Sequence, residues 1–127
     1  MATESAHPVV RLPAHRVAYV AVIAALVSAA IHLLLAPRVM GFNRVTGVLF
    51  YLNGLGWLGG IGLFFSRFWW RDLYLVAAIY ALTTIIAFVT MSGRTSSLAL
   101  TAKAAEMVVV FVSLYLWTTE HPDERGV

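Results

Sequence analysis

The chain has 127 residues, of which 61% are hydrophobic and only 12% are charged, and its mean hydropathy is +0.83. Soluble domains have about a quarter of their residues charged, so this composition predicts an integral membrane protein. We expect no separate soluble domain, because apolar segments take up most of the chain. The chain has no cysteine, which excludes disulfides, thiolate catalysis and cysteine-ligated metal centres.

Four apolar runs follow one another along the chain, at residues 17–36, 45–65, 73–91 and 98–117. Each run is about 20 residues, or about 30 Å of helix, which is the thickness of the hydrocarbon core of a bilayer. The separators are short and rich in arginine and turn-forming residues, so consecutive helices are expected to run in opposite directions. The sequence therefore predicts an all-α fold, an antiparallel four-helix transmembrane bundle with short loops.

The membrane domain is expected to cover residues 15–119, between a flexible N-terminal tail (1–14) and a flexible acidic C-terminal tail (120–127). The first run and the basic residues before it also have the pattern of a secretory signal. The run is too long for a signal, however, and continues past the small residues at 28–30. The second run contains many glycines and would be a weak helix in water, but glycine is common in spanning helices.

Basic and aromatic residues mark one end of the spans. The loop between the second and third runs contains Arg67, Trp69, Trp70 and Arg71, and Trp117 ends the fourth run. Such residues are typical of head-group level, so we expect lipid-facing interfacial anchors and no nucleic-acid surface, although the pI is about 9.7. The side of the membrane with this loop and both termini has more arginine, which predicts a multi-pass cell-membrane protein with both termini in the cytoplasm.

The fourth run contains two charged residues, Glu106 and Lys103, which is the only lysine of the chain. Inserting a charged side chain at bilayer depth costs roughly 2.5–3.5 kcal/mol of free energy per residue. Each of the two therefore needs an interaction partner, water or a functional role. The depth of each residue in the membrane can be estimated from the helix rise of about 1.5 Å per residue, counted from the side that holds the first and third loops. These depths are roughly 6 Å for His32, 8 Å for Lys103, and 12 Å for Asn53, Thr84 and Glu106. The sequence predicts that these five form one polar cluster in one half of the membrane.

Helical spacing allows these side chains to face one another. His32 follows a stripe of small residues, and Asn53 shares a helix face with Gly56 and Gly60, whose GxxxG spacing permits close helix packing. The lysine and the glutamate are three residues apart, which is close enough to pair. The alternative to a functional site is therefore a structural ion pair, with the histidine and the asparagine as hydrogen-bonding groups between helices.

The sequence contains no pattern that predicts an enzyme. There is no phosphate-binding glycine loop, no metal-ligand spacing and no Ser/His/Asp set in a supporting context. His32 is the only histidine well inside a span, so a haem held by two histidines of one chain is not expected. We expect no catalytic residue, no metal and no cofactor.

Three segments, 31–33 (Ile-His-Leu), 47–54 (Gly-Val-Leu-Phe-Tyr-Leu-Asn-Gly) and 103–106 (Lys-Ala-Ala-Glu), resemble small uncharacterised four-helix membrane proteins typical of halophilic archaea. The resemblance covers most of the chain from the first helix onward. It implies a four-span membrane domain of unknown function without established catalytic residues. Small multidrug-resistance transporters are similar in size, but their proton-coupling glutamate lies in the first helix, where this chain has none.

Three functions follow as hypotheses. The first is a non-enzymatic accessory or scaffold unit that associates with itself or with a larger membrane complex, because spans take up the chain and one face is rich in glycine. The second is a small transporter or proton-relay element that uses the His/Lys/Glu cluster. The third is a binder of a lipid, quinone or pigment. The lipid bilayer is an expected partner in all three.

Overall fold

A computed structural model of the chain describes residues 10, 12, 13, 15–91 and 96–120. These residues form four α-helices and no strand: α1 (Ala18–Met40), α2 (Arg44–Phe64), α3 (Leu73–Met91) and α4 (Ser97–Thr119). The all-α, four-helix prediction is therefore confirmed for the described part of the chain. The tails predicted to be flexible, 1–14 and 120–127, lie mostly outside the described residues, although Val10 forms an isolated β-bridge with Ser66.

The helix ends follow local sequence signals, with one exception. The side chains of Asn43 and Ser96 each accept a hydrogen bond of 3.1 Å from the backbone N–H three residues on, and so cap α2 and α4. The first helix was expected to end at residue 36, but it continues through Pro37 to Met40. Proline removes one helix hydrogen bond, yet the other backbone groups of an apolar segment still need partners, and a continued helix supplies them.

α1 packs against both α2 and α4, and α4 also packs against α3. Small buried residues such as Ala25 and Ala29 allow the neighbours of α1 to approach closely. α2 lies close to α1 at Gly54, where a Cβ would lie 2.7 Å from Cγ of Leu33 and 3.3 Å from the carbonyl oxygen of Ala29. The helices therefore pack side by side in the order α2, α1, α4, α3, with α2 and α3 at the two ends of this series.

The outward faces of the helices are apolar. Ile23, Leu34, Ile79 and Phe111 are each more than 60% exposed. All four helices are long and apolar enough to cross a membrane by length and composition. A surface of this size and hydrophobicity is typical of a protein that is covered by lipid or by other protein.

Candidate functional site

The polar cluster is built around Glu106, whose side chain is completely buried. Its Oε2 accepts a hydrogen bond of 2.5 Å from Ser28 Oγ of α1, and its Oε1 accepts one of 2.7 Å from Thr84 Oγ1 of α3. The same Oε1 is 2.8 Å from Nζ of Lys103, which precedes it by one turn of α4. A single carboxylate therefore connects three helices.

Lys103 and Glu106 pair with each other within α4. Only 14% of the lysine side chain is exposed. Its Nζ also lies 3.4 Å from the carbonyl oxygen of Thr84 and 5.4 Å from the centre of the Phe88 ring, whose face attracts a cation. The positive charge thus has a counter-charge, an acceptor and a ring around it, which reduces the cost of its burial.

The imidazole of His32 is held by both of its nitrogens. Nδ1 lies 2.8 Å from the carbonyl oxygen of Ser28, and Nε2 lies 2.9 Å from Nδ2 of Asn53. The ring therefore connects the backbone of α1 to the side chain of Asn53 on α2. Its Nδ1 also lies 3.8 Å from the carboxylate of Glu106.

Two further residues complete the cluster. Ser28 contacts both the histidine and the glutamate, and the Tyr80 hydroxyl donates a hydrogen bond of 2.9 Å to the backbone oxygen of Asn53. Neither was among the predicted site residues. Helical spacing could have indicated both residues. Ser28 is four residues before His32 and Tyr80 is four residues before Thr84, so each lies on the same helix face as a predicted cluster residue.

The structure brings all five predicted cluster residues together: His32, Asn53, Thr84, Lys103 and Glu106. Within the described ranges, no three His, Cys, Asp or Glu side chains form a group that could hold a metal ion. Nearly every buried polar side-chain atom of the cluster has a hydrogen-bond or ion-pair partner among the described residues. The exception is Oδ1 of Asn53, which has none. Such an arrangement is suited to holding helices in register.

An apolar cleft of about 220 Å³ begins beside the cluster and extends between α2 and α3, with walls from all four helices. Its lining includes five aromatic side chains: Trp57, Phe64, Trp69, Tyr74 and Tyr80. Tyr80 belongs to both the cleft and the polar cluster. Leu63 and Val76 also line it and are exposed, so they mark its mouth on the outer surface. An apolar cleft with a polar group at one end is typical of a small-molecule site.

The two glycines predicted to promote helix packing both line this cleft. A Cβ on Gly56 would collide with the hydroxyl of Tyr80, so glycine at this position leaves room for the Tyr80 side chain. At Gly60 the structure differs from the expected packing role, because a Cβ there would meet no atom within 4 Å. The GxxxG spacing therefore lines a cleft in this chain, since α3 does not close against the second glycine.

The predicted interfacial anchors divide into two groups. Arg67 and Trp70 are on the surface, and the Arg71 guanidinium lies 4.6 Å above the ring of Trp117 while its Nε donates to the backbone oxygen of the same tryptophan at 2.8 Å. Trp69 differs from the expected lipid-facing anchor, since it is only 6% exposed. Its ring packs into an aromatic cluster of the core, which the loop position alone did not indicate.

The fold and the site define a four-helix protein with a buried polar cluster and an adjoining apolar cleft. The chain belongs to a family of unknown function, DUF7475, which matches residues 3–117. Comparison with curated proteins and with solved structures gives no match. The expectation of an uncharacterised family is therefore confirmed, whereas the resemblance to proteins of halophilic archaea stays a prediction. The function has to be inferred from the geometry.

Proposed function

We propose that the chain is a multi-pass cell-membrane protein of four antiparallel spanning helices, with both termini in the cytoplasm. We propose further that it binds a bilayer-soluble small molecule in the cleft between α2 and α3, as a non-enzymatic accessory unit. The observation that carries this proposal is the cleft itself, which is apolar, about 220 Å³ in volume, and open at exposed residues of two helices. A ligand would enter it sideways from the bilayer.

The outer surface supports insertion in a membrane. Large apolar side chains are exposed on each helix, and their contact with water would be unfavourable. In a bilayer the same side chains lie against acyl chains, while Arg67 and Arg71 lie at the level of the head groups. Lipid is therefore the covering that fits every helix at once.

The polar cluster has a structural role in this proposal. Glu106 connects α1, α3 and α4 by side-chain hydrogen bonds, whereas the hydrogen bonds of α2 to the cluster, among the described residues, all involve Asn53. Between α2 and α3, the hydroxyl of Tyr80 provides a hydrogen bond at the cluster end of the cleft. The cluster thus fixes three helices and keeps one edge, between α2 and α3, available to a ligand.

A proton relay is the less well supported use of the cluster. Its polar side chains occupy one half of the predicted span, and the cleft that continues toward the other side is lined by apolar atoms in the described part of the chain. Transfer of a proton needs a chain of hydrogen-bonding groups or water, and such a lining favours hydrocarbon. The geometry therefore favours an apolar ligand over an ion.

Photolabelling in nanodiscs tests the proposal. The probe is a fatty acid with a diazirine in its chain, and labelled residues are identified by mass spectrometry. The test variant is Gly60→Leu, which fills the cleft from a position with open space around it. The matched control is Gly62→Leu, because Gly62 has equally open space on the same helix and does not line the cleft.

We expect labels to concentrate on cleft residues such as Trp57 and Ala77 in the unmodified protein and in Gly62→Leu. In Gly60→Leu, labelling of these residues should fall at least several-fold, while labelling of outer residues such as Phe111 stays the same. Equal labelling of cleft residues in both variants would show that the cleft does not admit a ligand, and the proposal would be refuted.

A further inference from the structure

The cleft has almost the length of one half of the bilayer. Its lining lies between residues 56 and 64 on α2 and between residues 73 and 80 on α3, at the helix ends that the loop 65–72 joins. At about 1.5 Å per residue these segments are about 11–12 Å long, and the hydrocarbon of one leaflet is about 15 Å thick. The cleft therefore follows the helix axes from near the level of the head groups toward the middle of the membrane.

The polar cluster closes the inner end of the cleft. On every helix, the innermost lining residue is three or four residues away from a residue of the cluster, which is about one helical turn. These pairs are Ala25 and Ser28 on α1, Gly56 and Asn53 on α2, Tyr80 and Thr84 on α3, and Val109 and Glu106 on α4. A ligand that lies along the cleft therefore meets hydrogen-bonded side chains at its inner end.

The width and the lining of the cleft suit a single hydrocarbon chain. A volume of about 220 Å³ over a length of about 11 Å corresponds to a mean cross-section of about 20 Å², which admits methylene groups in single file. The hydroxyls of both lining tyrosines are engaged elsewhere, that of Tyr80 with the backbone oxygen of Asn53 and that of Tyr74 with the carboxylate of Glu120. A long, narrow ligand without polar groups therefore fits both the shape and the chemistry of the cleft.

The outer end of the cleft lies at the level of the loop 65–72, which contains Arg67 and Arg71. The side chain of Arg67 is exposed and that of Arg71 is half-buried. The acidic residue of this loop, Asp72, is engaged with α4, because its carboxylate accepts a hydrogen bond of 3.2 Å from Nε1 of Trp117. Guanidinium groups at this level complement the phosphate of a phospholipid, whose hydrocarbon chains begin just below it.

We propose, on the basis of the proposed function, that the cleft holds one hydrocarbon chain of a phospholipid from the leaflet on the side of the loop 65–72. The chain enters sideways between Leu63 and Val76, and its end lies against the polar cluster. The phosphate lies at the level of Arg67 and Arg71. In the proposed orientation this is the cytoplasmic leaflet, and the polar cluster limits how much of the chain the cleft accepts.

Two photoreactive phospholipids test this inference in nanodiscs that contain the full chain. Both are phosphatidylglycerols with a diazirine in one chain, placed next to the glycerol in the first and at the chain end in the second. A diazirine fatty acid is the third compound, because it can fill the cleft without a phosphate. Each compound is applied to the unmodified protein, to Gly60→Leu and to the control Gly62→Leu, and labelled residues are identified by mass spectrometry.

We expect the first phospholipid to label Phe64 and Leu73 several-fold more than Tyr80, and the second to show the reverse order. Both patterns should be lost in Gly60→Leu and kept in Gly62→Leu. Should Gly60→Leu fail to fold, the order of labels along the cleft of the unmodified protein decides.

Three results would overturn the inference. Labelling of the cleft by the fatty acid and by neither phospholipid would do so while the cleft remains a binding site. The same distribution of labels from both phospholipids would do so as well, because the chain would then have no fixed direction in the cleft. If none of the three compounds labels the cleft, the inference and the proposed function are both refuted.

Discussion

Replacing Glu106 with glutamine tests whether the polar cluster holds the helices together. The amide oxygen can still accept a hydrogen bond, but Lys103 loses a counter-charge 2.8 Å away while only 14% of its side chain is exposed. Two unit charges at this distance attract by about 6 kcal/mol at an effective dielectric constant of about 20, and desolvation offsets part of this. Removing one partner of a buried pair costs about 3–5 kcal/mol, so we expect Glu106→Gln to lower the free energy of unfolding by about 3 kcal/mol.

Lys103→Met is the matched second variant, because the double change removes both charges and leaves no uncompensated one. We expect the double variant to be more stable than the sum of the single effects predicts, by about 1–3 kcal/mol. The assay is reversible unfolding in mixed micelles with increasing dodecyl sulfate, followed by circular dichroism. Single effects that add within about 0.5 kcal/mol would show that the two charges are not coupled, and the structural role would be refuted.

Two further predictions concern the contacts of α2. Gly54→Ala should lower the free energy of unfolding by about 1–3 kcal/mol, because the new Cβ would be 2.7 Å from Cγ of Leu33. The control Gly62→Ala should be neutral or slightly stabilising, because its Cβ would lie in open space. Equal effects of the two substitutions would contradict the packing of α2 against α1. Tyr80→Phe removes the hydroxyl that donates a hydrogen bond to the backbone oxygen of Asn53, and should lower the free energy of unfolding by about 1 kcal/mol in the same assay. No change would show that this hydrogen bond does not hold α2 to α3.

The helices were predictable because each apolar run has the length of a span and short polar loops separate them. The end of α1 was not, since two physical effects oppose each other there. Pro37 disfavours a helix, whereas the other backbone N–H and C=O groups of an apolar segment favour one, because a helix supplies their hydrogen bonds. The structure resolves this in favour of the helix, which continues to Met40.

The polar cluster was predictable from depth and helical period, which put His32 and Glu106 in the same half of the predicted span and on inward faces. The cleft was not, because periodicity defines a face of a helix but does not say which neighbour covers it. Gly60 has the spacing of a packing glycine and yet borders an opening, since α3 contacts α4 along its length and meets α2 at Tyr80. The burial of Trp69 was not predictable either, because flanking arginines indicate the level of the head groups but do not say whether a loop side chain faces lipid or the core.

The central claim is that the cleft between α2 and α3 holds a bilayer-soluble ligand. Native mass spectrometry of the chain, released from the membrane in which it was produced, tests this most directly. We expect one adduct of constant mass that is lost in Gly60→Leu and retained in Gly62→Leu, with fragmentation that identifies a bilayer-soluble small molecule. A bare chain, or phospholipid adducts that are the same in both variants, would contradict the claim.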